Sequence, residues 1–264
     1  MIDRSLNIFL HFGPSICFTI PNKISQNQFI RHALTALTFI FQHHSRPINC
    51  LSFDTYDSSK LVSTSYDGSV RLFDINAEKS SVVFAFDEDD SSYTTYHEQI
   101  NPNCFLITMG RIGQVGLIDT RVSNSKAASS FKLYEKASPK MVSGHPVNKD
   151  LFVTPSSKGD CGIYDVRKAN GSKLVQPLAN LVGHTRAISS AKFSAKTGNK
   201  VVTVAYDNKL RIFDTSEGFG SVLKPKMNIT HNNQTGRWLT TFKVSIPSIL
   251  TRKNMNLPYS MRMY

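Results

Sequence analysis

Near the end of the chain, Arg237 and Trp238 set a fixed cation beside the only tryptophan, directly after the polar, glycine-containing stretch Asn232-Asn-Gln-Thr-Gly236. Such a pair suits phosphate contact and base stacking; it equally suits a ring packed on neighbouring structure with the arginine as its cover. Two Asp-x-Arg triplets, Asp119-Thr-Arg121 and Asp165-Val-Arg167, carry rigid guanidinium forks. A fork makes several directed hydrogen bonds, either to a partner surface or back to its own aspartate. Arg46 and Arg186 each stand two residues after a histidine, and with Lys158 and Lys209 they offer positive charge for tracking phosphates, or solvated loop cations.

Enzyme signatures are missing. There is no Gly-x-Ser-x-Gly elbow, no phosphate-binding glycine loop and no His-Glu-x-x-His. Cys17, Cys50, Cys104 and Cys161 stand 33, 54 and 57 residues apart, which gives no zinc spacing and no disulfide scaffold. Asp87-Glu-Asp-Asp90 lacks calcium-loop spacing and reads as a solvated loop. The expectation is a non-enzymatic chain with no cofactor, metal or small-molecule substrate. Leu6 to Ile20 is interrupted by His11, Gly13 and Pro14, so neither a membrane span nor a secretory signal is expected, and a reducing compartment is.

The 264 residues carry a net charge of +12. Residues 1–167 hold 16 basic and 16 acidic side chains, while residues 168–264 hold 15 basic and 3 acidic. The entire excess therefore lies in the last third. A region so lopsided attracts polyanions, nucleic acid first among them, or serves solubility alone.

The elements that would position these residues repeat. Leu61 to Asp74 (LVSTSYDGSVRLFD) aligns without gaps to Val201 to Asp214 (VVTVAYDNKLRIFD), each an apolar strand, a tight turn and a second strand. Upstream, His44 and His184 each precede the closing aspartate by 30 residues. Two weaker copies, Cys104 to Asp119 and Leu151 to Asp165, lie between them, so Asp74, Asp119, Asp165 and Asp214 are spaced 45, 46 and 49 apart. That is the period of a four-stranded propeller blade. His145 lies only 20 residues before Asp165 and is expected in the loop between first and second strands.

Gly-His, about 30 residues, then an aromatic or aliphatic residue and Asp resembles the WD repeat, here with Phe73, Ile118, Tyr164 and Phe213 in place of tryptophan. The resemblance implies a hydrogen-bonded set of His, Ser/Thr and turn Asp in each blade. Only His44, Ser63 and Asp67, and His184, Thr203 and Asp207, keep it; Ile112 and Lys158 occupy the turn position of the middle blades, where the set is expected to be absent. Those Ser, His and Asp residues are thereby accounted for without catalysis.

His44-Ser-Arg-Pro-Ile-Asn-Cys-Leu-Ser-Phe53, Ser65 to Arg71, Gly183-His-Thr-Arg186 and His231 to Thr240 further resemble the family of WD-repeat-containing protein 76 and its fungal relatives, itself similar to the small subunit of the UV-damaged-DNA-binding complex. This implies a seven-bladed nuclear propeller that binds DNA in damage responses, with some members proposed as substrate receptors of cullin-4 ubiquitin ligases. It further implies that Asp119, Arg121, Asp165 and Arg167 dock a ligase adaptor, and that Arg237 and Trp238 sit where a relative's hairpin wedges into the duplex.

The expected architecture is an all-β, partial WD-repeat β-propeller of about four blades and part of a fifth. A non-repeat segment spans 1–36, blades span 37–244 and a divergent tail spans 245–264. So few blades point to a fragment or an imperfect gene model, because leaving about 400 Å² of apolar blade face wet forfeits about 10 kcal/mol at roughly 25 cal/mol/Å². The expected function is DNA binding in the nucleus in the response to damage, through Arg237, Trp238, Arg46, Arg186, Lys158 and Lys209. The alternative is a protein-binding scaffold with no nucleic-acid role.

Overall fold

The computed structural model describes residues 7–10, 15–20, 37–86, 93–110, 113–122, 129–168, 174–232, 244–245 and 262–263. Strands β1 (Asn7–Leu10), β2 (Ser15–Ile20) and β3 (Leu37–Gln42) form an antiparallel sheet, so the stretch without repeats also supplies strands. The first blade then follows as β4 (Ile48–Phe53), β5 (Lys60–Ser65), β6 (Ser69–Asp74) and β7 (Lys79–Ala85). The second is β8 (Thr94–Asn101), β9 (Cys104–Met109), β10 (Gln114–Asp119) and β11 (Ser129–Lys132). The third is β12 (Ser143–Gly144), β13 (Leu151–Pro155), β14 (Cys161–Asp165) and β15 (Ala179–Leu181).

The fourth blade is β16 (Ile188–Phe193), β17 (Lys200–Ala205) and β18 (Lys209–Asp214), closed on its outside by β20 (Met227–Thr230). Between β18 and β20 the chain turns back. There β19 (Val222–Leu223) adds in parallel to β15, giving the third blade a fifth strand. Last, β21 (Val244–Ser245) pairs with β22 (Arg262–Met263), and β21 lies against β16 and β17. Four antiparallel blades make this a partial β-propeller.

Local chemistry explains the hairpins. In β5–β6, Lys60 pairs with Asp74, and in β17–β18, Lys200 pairs with Asp214. The tight turns need a left-handed residue: Gly68 takes φ 81°, and Asn208, one of the few side chains that tolerate this region, takes φ 59° at the same place. The weaker repeats form complete blades too, because alternating and near-continuous apolar strands suffice without the same turn.

Blades pack face to face in chain order, β8 against β4 and β5, β12 against β8, and β16 against β12 and β13. Middle strands are covered on both faces, so Leu151 to Pro155 and Cys161 to Asp165 are buried throughout, while every residue of outermost β20 is exposed. Each interface has its own core. Val62, Val70 and Phe84 meet Phe105, Ile107 and Ile118; Leu106, Val115 and Phe131 meet Phe152 and Tyr164; Val153, Ile163 and Ala179 meet Ile188, Phe193 and Phe213. Each large side chain removed from water contributes about 1.5–3 kcal/mol. Ile118, Tyr164 and Phe213 fall within these cores, while Phe73 is buried against His43.

Candidate nucleic-acid interface

The antiparallel order puts the loop before each first strand and the turn between second and third strands at one end of every blade. Backbone bonds tie the two together: Tyr66 N donates to Pro47 O at 3.2 Å, Lys140 N to Pro155 O at 3.0 Å, and Tyr206 N to Ala187 O at 2.9 Å. On this rim Arg46, Lys136, Lys140, Lys158, Arg186 and Lys209 are exposed. Lys158 and Arg186 come from neighbouring blades, and Gly159 brings their backbones together, since its φ is +99° and a Cβ would stand 2.9 Å from the Arg186 carbonyl. Arg46 lies on the first blade, its guanidinium reaching the Tyr66 carbonyl at 3.5 Å. Arg237 and Trp238 lie outside the described residues.

Beneath the rim sit the ties within the first and fourth blades. A carboxylate only accepts, so in the neutral ring His44 Nδ1–H donates to Asp67 at 2.9 Å and Nε2 accepts from the Ser63 hydroxyl at 2.8 Å. His184 is placed likewise, 3.1 Å from Asp207 and 2.6 Å from Thr203. Serine, histidine and aspartate in this order would form a nucleophilic set, but His44, Ser63 and Thr203 are buried and offer no open face to a substrate. Burial pushes the Asp67 carboxyl up, and hydrogen bonds from His44 and Ser69 outweigh it, leaving the group below the ordinary range.

The two blades hold the aspartate differently. In the first, the Ser69 hydroxyl donates to Asp67 at 2.7 Å. In the fourth, Lys209 replaces that serine, and the buried Arg211 donates to Asp207 at 2.7 Å and crowds His184 Nδ1. Burial lowers the His184 pKa, Asp207 opposes this, and Arg211 lowers it further. In the middle blades the second-strand hydroxyls bond elsewhere: Thr108 Oγ1 pairs with Thr95 Oγ1 at 2.8 Å, and Thr154 donates to Met141 O at 2.7 Å. His145 does lie between β12 and β13, where its Nδ1 accepts from the Val147 and Asn148 amides while its ring packs on Phe193.

At the opposite end of the blades, each closing aspartate caps the turn that follows it. Asp74 accepts from the Asn76 and Ala77 amides, and Asp214 from Ser216 N and from Lys226 at 2.9 Å. In the middle blades the second carboxylate oxygen goes to an arginine. Arg121 Nε and Nη2 lie 2.9 and 2.6 Å from Asp119; Arg167 Nε and Nη2 lie 3.0 and 2.8 Å from Asp165. Each fork is thus engaged with its own aspartate, the second of the two arrangements open in the sequence. Both arginines remain about two-thirds exposed, and Arg167 Nε also lies 3.4 Å from Asp150. The Arg121 side chain and then its amide hold the Asp119 pKa down at about 2.

The repeats match known proteins. The model of the WD domain, G-beta repeat, matches residues 35–74 and 175–214, which contain both of the histidine-centred ties. The chain carries WD repeats. WD repeat-containing protein 76 of Xenopus laevis is 34% identical over 206 residues, covering 78% of this chain and 34% of that protein. DNA damage-binding protein CMR1 of Chaetomium globosum is 30% identical over 215 residues, covering 77% and 40%. DNA damage-binding protein 2 of Oryza sativa subsp. japonica is 26% identical over 208 residues, covering 76% and 34%. The chain thus spans about a third of the length of the WD repeat-containing protein 76 relatives.

Sequence reasoning passed over two rim residues. Tyr66 and Tyr206 precede the turn aspartates of the matched repeats and are 43% and 40% exposed. The signal was their recurrence at one aligned position in an otherwise polar turn.

Proposed function

We propose that this WD-repeat chain binds DNA through its basic rim and serves, in the nucleus, the response to damaged DNA. The observation that carries the reading is the convergence of Lys158 and Arg186 from adjacent blades on a rim that also exposes Arg46, Lys140 and Lys209. Cations at fixed spacing neutralise successive phosphates and release counterions. The names of the fungal and plant relatives support damaged DNA as the class of ligand. Arg237 and Trp238 are proposed as further DNA contacts, to a phosphate and to a base. The chain acts by binding, as a non-enzymatic module.

Arg121 and Arg167, on the opposite end, are assigned to contact the adaptor of a cullin-4 ligase. Each guanidinium is pre-oriented by its aspartate and keeps three N–H groups for a partner, which lowers the ordering cost of docking. The two roles use opposite ends of the blades, so they are separable. Fluorescence-anisotropy titration of duplex DNA at two salt concentrations tests the rim. Binding that weakens by about 0.9 log units per neutralised phosphate per tenfold salt is expected, and a folded chain without affinity for DNA overturns the reading.

A further inference from the structure

We propose that Tyr66 and Tyr206 are stacking platforms for unpaired bases, so that the basic rim prefers single-stranded to fully paired DNA. The inference rests on the rim being a DNA surface and goes further by naming the form of DNA it favours.

Both rings lie at the same corner of their blades. Neither belongs to an inter-blade core, and among the described residues neither phenol oxygen has a hydrogen-bond partner. At these tight turns the two rings are 43% and 40% exposed. Their backbones are nevertheless fixed, Tyr66 N to Pro47 O and Tyr206 N to Ala187 O, each one residue beyond a rim arginine. A flat π surface is thereby presented next to Arg46 in the first blade and next to Arg186 in the fourth.

The first of these sites is also buttressed. Tyr93 lies 5.5 Å from Tyr66, ring to ring, tilted by 56°. Room for Tyr93 exists because residue 110 is glycine: a Cβ there would come within 2.3 Å of the Tyr93 ring. Gly110 N in turn donates to Tyr93 O at 2.8 Å. The aromatic pair is therefore built into the joint between the first two blades.

The rim's charge selects a nucleic acid over an apolar partner, and the rings select its unpaired form. A paired base shows no free face, so a ring meeting a duplex must first unstack a step, at a cost of a few kcal/mol. An unpaired base offers its face at once, and stacking is tolerant of sequence.

The test uses the full chain, a mixed-sequence 20-nucleotide strand and the blunt duplex of the same sequence, with circular dichroism as the folding control. Tighter binding of the single strand is expected. Tyr66→Ala and Tyr206→Ala are each expected to weaken single-strand binding about tenfold, with the salt slope and duplex binding unchanged. Tyr66→Phe and Tyr206→Phe, which keep the π face, should retain it. DNA binding with unchanged single-strand affinity in the alanine variants, or a preference for duplex, overturns the inference and leaves the rim reading standing. Absence of salt-dependent binding to either DNA overturns both. Equal binding of poly-glutamate, indifferent to the tyrosines, would assign the rim to an acidic protein partner instead and overturn both.

Discussion

The α-carbon of Gly159, between β13 and β14, abuts the carbonyl of Arg186, so the turn of one blade and the leading loop of the next are in backbone contact. Lys158 and Arg186 are rim neighbours because the residue between their backbones has no side chain. Gly159→Ala would have to hold φ near +99° and displace that carbonyl. A loss of about 1–3 kcal/mol in chemical denaturation is expected, together with weaker DNA binding; an unchanged midpoint would show that the loop yields freely.

Arg211 and Arg71 occupy one aligned position with different duties. Arg211→Leu takes the paired cation from the buried Asp207 carboxylate, leaving it His184 and backbone amides, and is expected to cost about 3 kcal/mol. Arg71, whose described bond is a 3.4 Å contact with the Ser69 hydroxyl, should tolerate the same change for less than about 1 kcal/mol. Urea unfolding of both variants checks the asymmetry, which equal losses would remove.

Acid should loosen the fourth blade through His184. Its folded pKa lies below the ordinary 6.5, so the unfolded chain binds more protons in the window between the two values. The stabilisation is complete above 6.5 and is lost as pH falls through that window. Burial lowers His145 and His43 in the same sense, and Lys149 and Arg71 add to it. Melting temperatures between about pH 7.5 and 5.5 should therefore fall in the wild type, and fall less steeply in His184→Gln, whose side chain faces Thr203, Asp207 and Arg211 without titrating. Parallel slopes would assign the effect to the other histidines.

Charge removal on the rim should be read by salt. Arg46→Gln and Arg186→Gln are each expected to weaken DNA binding across sequences and to lower the slope of log affinity against log salt by about 0.9. Both side chains are exposed, so unfolding midpoints should stay within about 0.5 kcal/mol of wild type. A lost affinity with an unchanged slope would mean these cations do not touch phosphates.

Arg121→Ala with Arg167→Ala should abolish co-purification of a cullin-4 adaptor while leaving DNA binding intact. The forks cover no core, so folding should survive. An adaptor that still co-purifies removes the role.

What was legible in the sequence was whatever a short range of chain decides. The Asp-Gly and Asp-Asn turns, the paired strands around them and the 45- to 49-residue spacing of Asp74, Asp119, Asp165 and Asp214 follow from local hydrogen-bonding chemistry and alternation. Exposure is a property of the whole fold, so Tyr66 and Tyr206 passed unnoticed inside an alignment that displayed them. The partner of a guanidinium is likewise settled in three dimensions: Arg121 and Arg167 turn to their own aspartates, while Arg211, which aligns with Arg71, turns inward to Asp207. Nor does a two-residue strand such as Val222–Leu223 have a pattern of its own, since its pairing partner is chosen by where the preceding loop delivers it.

That return strand makes the couplings along the repeat array unequal. A chain of blades joined only through their faces can open one joint at a time. Here Asn180 N donates to Ser221 O and Val182 N to Leu223 O, so a segment sequentially inside the fourth blade is fastened to the outer edge of the third. Neither blade can detach without stripping the other. The third and fourth blades should consequently share one opening free energy in native-state hydrogen exchange, forming a single cooperative unit, while the first blade fluctuates on its own account.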